Sequence, residues 1–176
     1  MADPRYPIGR FSYDGESTPQ LRERWIGEIA AAPGALRAAI TGLTPAQLDT
    51  PYREHGWTVR QVVHHVPDSH LNAYTRMKLA LTEDGPVIKP YDEARWAELP
   101  DVAVTPPETS LTLLECLHRR WVLLLRQLGP AELRRGFRHP EHNRTIVLDE
   151  MLALYGWHGR HHVAHITSLR TRMGWE

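Results

Sequence analysis

Four of the eleven histidines stand inside the run Tyr155-Gly156-Trp157-His158-Gly159-Arg160-His161-His162-Val163-Ala164-His165-Ile166. On an α-helix turning roughly 100° per residue, His158, His161, His162 and His165 share one face. Two interlocked pairs, His158/His162 and His161/His165, have the i,i+4 spacing that lets two imidazoles one turn apart grip one ion. A lone histidine on a half-buried helical face is usually a hydrogen-bonded boundary residue. The doubled pair is what points to metal. Two ligands do not complete a stable site, so a third has to come from elsewhere in the chain.

The elements that must position them are legible as helices. Thr18-Pro19 reads as an N-cap followed by proline at the first helical position, and Leu21, Trp25, Ile29, Leu36 and Ile40 trace the stripe of a first helix bent at Pro33. A second helix starts at Thr58, where Gln61 completes a capping box and Trp57 and Val62 are placed for a hydrophobic staple. Its buried face runs through Val59, Val62, Val63, Val66, Ala73 and Met77, to about Leu81. On that wheel His65 lies at the edge of the apolar arc and His70 nearer its centre, whereas His64 points away. Pro67 leaves the Val63 carbonyl without its helical donor and bends the chain beside His65.

Asp84–Thr109 has no sustained period and carries five prolines, which reads as a crossover or a lid pinned by Tyr91, Trp96 and Leu99. A third helix is expected from Ser110 to Leu128, with Cys116 in its core and His118 near its buried face. Gly136–Thr145 reads as a turn or small hairpin with His139 and His142 on the surface. The last helix is expected from Val147 to Met173, stopped by Gly174. Gly156 and Gly159 each cost about 1 kcal/mol against alanine there, which calls for close backbone packing or access to a site. Four long amphipathic helices and no convincing strand set predict an all-α fold, a four-helix bundle with one long crossover, in a single domain over residues 1–176 with an irregular lead-in over residues 1–17.

Lys plus Arg and Asp plus Glu both total 21, so no basic field for nucleic acid is visible. One cysteine excludes an internal disulfide, and no apolar run approaches a membrane span or a signal sequence. A cytoplasmic protein is the expectation.

The chain resembles the DinB-like superfamily, and within it the YfiT-type proteins, over nearly its whole length. The matching blocks include Tyr6-Pro-Ile-Gly9, Leu48 through His65 and on to Asp68-Ser-His70, Lys78-Leu-Ala-Leu-Thr-Glu83, Lys89-Pro-Tyr-Asp-Glu93, Leu117-His-Arg-Arg-Trp121, His139-Pro-Glu141, Tyr155–Ile166 and Met173-Gly-Trp175. The resemblance implies an up-and-down four-helix bundle holding a divalent metal, zinc or nickel, through three histidines, here His65, His158 and His162. His161 and His165 then stand behind the ligands or on the substrate side. The family commonly has alanine where this chain has Pro67. A homodimer is also implied.

Proteins of this kind are described as metal-dependent hydrolases, and some as S-transferases that conjugate the thiol bacillithiol to electrophiles. Three neutral imidazoles leave the ion dipositive with open positions, able to hold a water or a thiolate. Hydrolysis calls for a carboxylate as general base, with Asp68 and Glu150 as candidates. The lack of an obvious His-Glu pairing favours transfer of a low-molecular-weight thiol to a small electrophile. Asp68 and His161 are the expected catalytic side chains, and Arg60, Arg76 and Arg160 the expected contacts for an anionic thiol. A non-catalytic metal-stabilised bundle is the rival, favoured if a fourth protein ligand, His118 or His161, closes the site.

Overall fold

In the computed structural model, which describes residues 3–175, the first long helix is α1 (Pro19–Ile40), opened by Thr18, whose hydroxyl accepts from the Leu21 amide. The helix continues through Pro33. A single turn, α2 (Pro45–Leu48), leads into a tight loop in which the Tyr52 amide donates to the Trp57 carbonyl. The expected capping box between Thr58 and Gln61 then starts α3 (Val59–Thr82), which also runs on through Pro67. The crossover contains two short helices, α4 (Glu93–Trp96) and α5 (Pro100–Val104), before α6 (Pro107–Leu125). Proline at its first turn sets the α6 start three residues earlier than the periodicity suggested. One turn, α7 (Pro130–Leu133), precedes the antiparallel hairpin β1 (Gly136–His139) and β2 (Arg144–Val147). The chain ends in α8 (Leu148–Met173), closed by Gly174 in the left-handed region at φ 65°.

Around the bundle α1 packs on α8 and α6, and α3 packs on α6 and α8. The cross-helix pairs give the directions. Arg37 near the end of α1 meets Glu108 at the start of α6, so these two helices are antiparallel. Arg170 near the end of α8 donates to the Ala39 carbonyl near the end of α1, so those two run alike. His64 with Ser110, and His70 with His118, place α3 and α6 side by side in the same direction. The four-helix bundle is therefore present, with α1 and α3 diagonal. The long crossover returns the chain to the end from which α3 began, so the alternation of an up-and-down bundle holds across the α1–α6 and α3–α8 contacts and not along the chain.

Two apolar clusters fill it. One gathers Trp25, Ile29, Ala73, Met77, Trp121, Leu125, Leu148 and Leu152; the other gathers Leu36, Val59, Val62, Val66, Leu114, Ile166 and Leu169. Each long helix leaves one cluster and enters the other, and the stretch between carries the polar groups: the Ile29 carbonyl on α1, left without a helical donor by Pro33, His65–His70 on α3, His118 on α6 and His158–His165 on α8. A polar layer thus crosses the middle of the core.

Several expectations are corrected. Cys116 is exposed, because the α6 stripe turns it outward. His64 is buried, its Nδ1 2.7 Å from the Ser110 hydroxyl, because α6 covers the face that the wheel left to solvent. His139 is also buried, on the inner side of β1, whereas His142 is exposed. Leu99 and Trp96 are exposed; Ile88, Ala97 and Val102 are the hydrophobic residues the crossover buries, while Tyr91 packs on Trp96.

Candidate metal centre

His65 lies on the second turn of α3, and His158 and His162 lie one turn apart on α8, which packs against it. Each ring offers one nitrogen, and the three nitrogens lie within 4.8 Å of one another. The Nε2 atoms of His158 and His162 are 3.2 Å apart. Two nitrogens bound tetrahedrally at zinc-like distances stand roughly 3.3 Å apart. The second i,i+4 pair, His161 and His165, stacks edge to face with ring centroids at 4.2 Å and stands outside this convergence.

A metal needs these rings neutral. Burial pushes the His65 imidazole down to about 4, and burial, reinforced by neighbouring imidazoles, holds His158 and His162 well below the usual histidine range. The donor set, three neutral imidazoles within 4.8 Å of one another, fits zinc and nickel alike. No fourth protein ligand joins them among the described residues: His118 stands behind His70, and His161 belongs to the other pair.

Aromatic side chains wall the centre. Trp57 packs on His65 with centroids at 4.6 Å and stacks more loosely on His162; Tyr52 stacks on His165 at 4.0 Å. The lead-in closes another side, with Tyr6 against His161 and the Arg5 carbonyl accepting from His165 Nε2. A concavity of about 380 Å³ opens beside His162, bordered by Arg5, Tyr6, Tyr52, Arg53, Trp57 and His161. The larger groove, about 640 Å³, lies elsewhere, between α1 and α6. From the crossover, Tyr91 comes close to Ser69 and Tyr155, and burial pushes its hydroxyl up to about 12.

The other expected site residues are more dispersed. Asp68 is half-buried on α3, and burial, with Asp101 nearby, raises its carboxyl to about 6. His161 borders the concavity with its Nδ1 unpartnered. Arg60 is paired with Asp49 at 2.7 Å, Arg76 donates to the Lys89 carbonyl, and Arg160 lies 3.4 Å from Glu28. These three arginines are held by separate partners, and the arginines at the concavity are Arg5, itself paired with Asp3 at 2.9 Å, and Arg53. Glu150 is gripped by both guanidinium nitrogens of Arg144. Reading the sequence missed Arg5, Arg53, Tyr6, Tyr52 and Trp57 as site walls. Trp57 carried the one available signal, a staple position two residues before a helix that bears a candidate ligand.

Residues 28–166 match the model of the DinB superfamily. A Bacillus mycoides protein named "Putative metal-dependent hydrolase" is 57% identical over 99% of this chain and 100% of its own length. An Oceanobacillus iheyensis protein of the same description is 53% identical over 97% of this chain and 98% of its own. The solved structure described as "YfiT from Bacillus subtilis is a probable metal-dependent hydrolase with an unusual four-helix bundle topology" superposes with a TM-score of 0.97 at 48% identity. It covers 99% of this chain and 100% of that one.

Proposed function

The chain belongs to the DinB superfamily, and from that premise we propose that it is a metal-dependent enzyme whose His65, His158 and His162 hold one divalent ion, zinc or nickel, and that it transfers a low-molecular-weight thiol of the bacillithiol type to small electrophiles. The observation that carries the reading is the donor set, three neutral imidazoles with no carboxylate among the converging groups of the described residues. When bound, the ion supplies Lewis acidity and lowers the pKa of a thiol or water in its open position.

The chain's own residues supply the rest. Trp57, Tyr52 and Tyr6 exclude water from the rings and offer flat faces to an electrophile. Arg53 places positive charge at the mouth, where a thiol bearing carboxylates would enter, and Arg5 would have to leave Asp3 to add to it. The His161 imidazole, which borders the concavity, takes the thiol proton as sulfur bonds to carbon and the leaving group departs. Arg60, Arg76 and Arg160 would have to leave their present partners to take part.

Hydrolysis is the second reading, favoured by the descriptions of the relatives and by Asp68, whose carboxyl near 6 suits a general base. No helix among the described residues is long and apolar enough to cross a membrane. A cytoplasmic homodimer belongs to the same proposal, with its mass in solution as the check.

The deciding experiment is elemental analysis of untagged protein, followed by parallel assays with a panel of cellular thiols plus electrophile and a panel of esters and amides. Thioether formation dependent on metal supports transfer. Metal-dependent ester or amide cleavage without thiol consumption replaces it with hydrolysis, and protein that takes up no divalent metal overturns both.

A further inference from the structure

His70 and His118 are fully buried, and neither has a task in the chemistry above. They form an unbroken row. His118 Nδ1 lies 2.6 Å from the Ile29 carbonyl oxygen, His118 Nε2 lies 2.8 Å from His70 Nδ1, and His70 Nε2 lies 3.0 Å from His158 Nδ1. The opposite nitrogen of His158, Nε2, faces His162 Nε2.

The row starts at a carbonyl for a reason written in the sequence. Within α1 the Ile29 carbonyl would accept from the amide of residue 33, and residue 33 is proline, which has none. A buried carbonyl without its helical donor needs another partner. His118 provides it from the neighbouring helix.

A carbonyl can only accept, so the proton of His118 sits on Nδ1. A neutral imidazole carries one N–H, which leaves His118 Nε2 bare to accept from His70 Nδ1. The same logic passes through His70 to His158, whose Nδ1 donates and whose Nε2 is left with a free lone pair. We propose that His118 and His70 are positioning residues that lock His158 in the Nδ1–H tautomer and aim its bare Nε2 at the metal, with the carbonyl freed by Pro33 as the fixed end of the row. This rests on the reading of His65, His158 and His162 as ligands.

The row does what a carboxylate or carbonyl behind a metal-bound histidine ordinarily does, fixing tautomer and ring plane, but at the distance of two further imidazoles. Free neutral histidine favours the Nε2–H form, in which Nε2 cannot ligate. Without the row, His158 would spend part of its time unable to bind.

Two measurements on the full-length protein test this. Proton–nitrogen spectra of histidine-labelled protein, recorded before and after one equivalent of zinc, should show His118, His70 and His158 all protonated on Nδ1. Competition with a chromophoric chelator should show zinc held about 10–100-fold more weakly by His118→Leu, the loss typical when the group behind a ligand is removed. His118→Gln, whose side-chain oxygen can still accept from His70 Nδ1, should recover most of that loss. An Nε2–H tautomer on any of the three rings overturns the proposal, as does equal zinc affinity across wild type, His118→Leu and His118→Gln. Equal weakening in both variants also overturns it, since that marks a packing role. Failure of the wild-type protein to take up zinc or nickel overturns the metal reading itself, whereas uptake with the wrong tautomer overturns this inference alone.

Discussion

At the scale of single residues, the three converging rings and the two beside them make different predictions from the same helix. His158 and His162 share one point with His65, while His161 and His165 face Tyr6, Tyr52 and the Arg5 carbonyl. His65→Ala, His158→Ala and His162→Ala should each weaken metal binding by at least about a hundredfold, beyond the 10–100-fold typical of losing an outer partner. His161→Ala and His165→Ala should keep metal content while His161→Ala lowers turnover. Elemental analysis beside the activity assay checks this, and metal loss in His161→Ala would move the site. Asp68 carries a second prediction. Its folded pKa, near 6, exceeds the ordinary aspartate value of 3.8, so between those values the folded state binds more protons than the unfolded one and the stability due to this group falls as pH rises. Because the carboxyl is only half-buried, the penalty above pH 6 is discounted for solvent screening to about 1 kcal/mol. Asp68→Asn should therefore stabilise the protein by about that amount near pH 7.5, and by less near pH 5. Urea midpoints at the two pH values decide it, and an equal gain at both would count against the assignment.

At the scale of elements, the close approach of α8 to α1 sets the geometry of the centre. A Cβ on Gly159 would stand 2.8 Å from the Ala32 Cβ and 3.9 Å from His70 Cε1, and a Cβ on Gly156 would meet the Trp25 backbone at 3.3 Å. Gly159→Ala gains about 1 kcal/mol of helix propensity and loses about 1–3 kcal/mol to overpacking. The expected net is a modest destabilisation together with weaker metal binding, because α8 is pushed off the row that ends in His158. Adding Ala32→Gly should restore both, which a simple propensity effect would not. These glycines also show what was legible in the sequence. Period, caps and stop signals give all four long helices, and the cost of two glycines inside one of them announces a close contact. Helix direction was hidden, because a crossover spanning Asp84–Pro106 can end at either end of the bundle. The site walls were hidden as well: Tyr6 and Arg5 sit in a lead-in without periodicity, and only tertiary packing brings them to His161 and His165. The choice of His65 over His70 was open on the wheel because both face inward. In the structure His65 joins the convergence and His70 stands behind His158, so both rings face the polar layer but at different positions in it.

At the scale of the whole molecule, the polar layer makes the fold's stability depend on histidines staying neutral. Nine histidines have pKa values lowered in the folded protein, each chiefly by burial: His64, His65, His70, His118, His139, His158, His161, His162 and His165. In the unfolded chain these groups titrate near 6.5. Below that pH the unfolded state takes protons that the folded state refuses, so stability is full above about 6.5 and falls as pH drops toward the folded values. His65 and His118, both pushed down to about 4, together remove up to about 3 kcal/mol per pH unit across that window. His70, His158 and His162 add in the same direction. Asp68 works the opposite way, but one half-buried carboxyl worth about 1 kcal/mol cannot offset five buried rings. Against the 5–15 kcal/mol typical of a domain, the metal-free protein should lose its helical signal in one cooperative transition between about pH 6 and pH 4. A metal bound to the neutral rings stabilises the folded state by mass action and should carry the transition to lower pH. Circular dichroism during acid titration, with and without chelator, measures both midpoints. Stability that stays flat from pH 7 to pH 5 in the metal-free protein would mean that the layer is wetter than its burial implies, and a midpoint indifferent to chelator would separate the layer from metal binding.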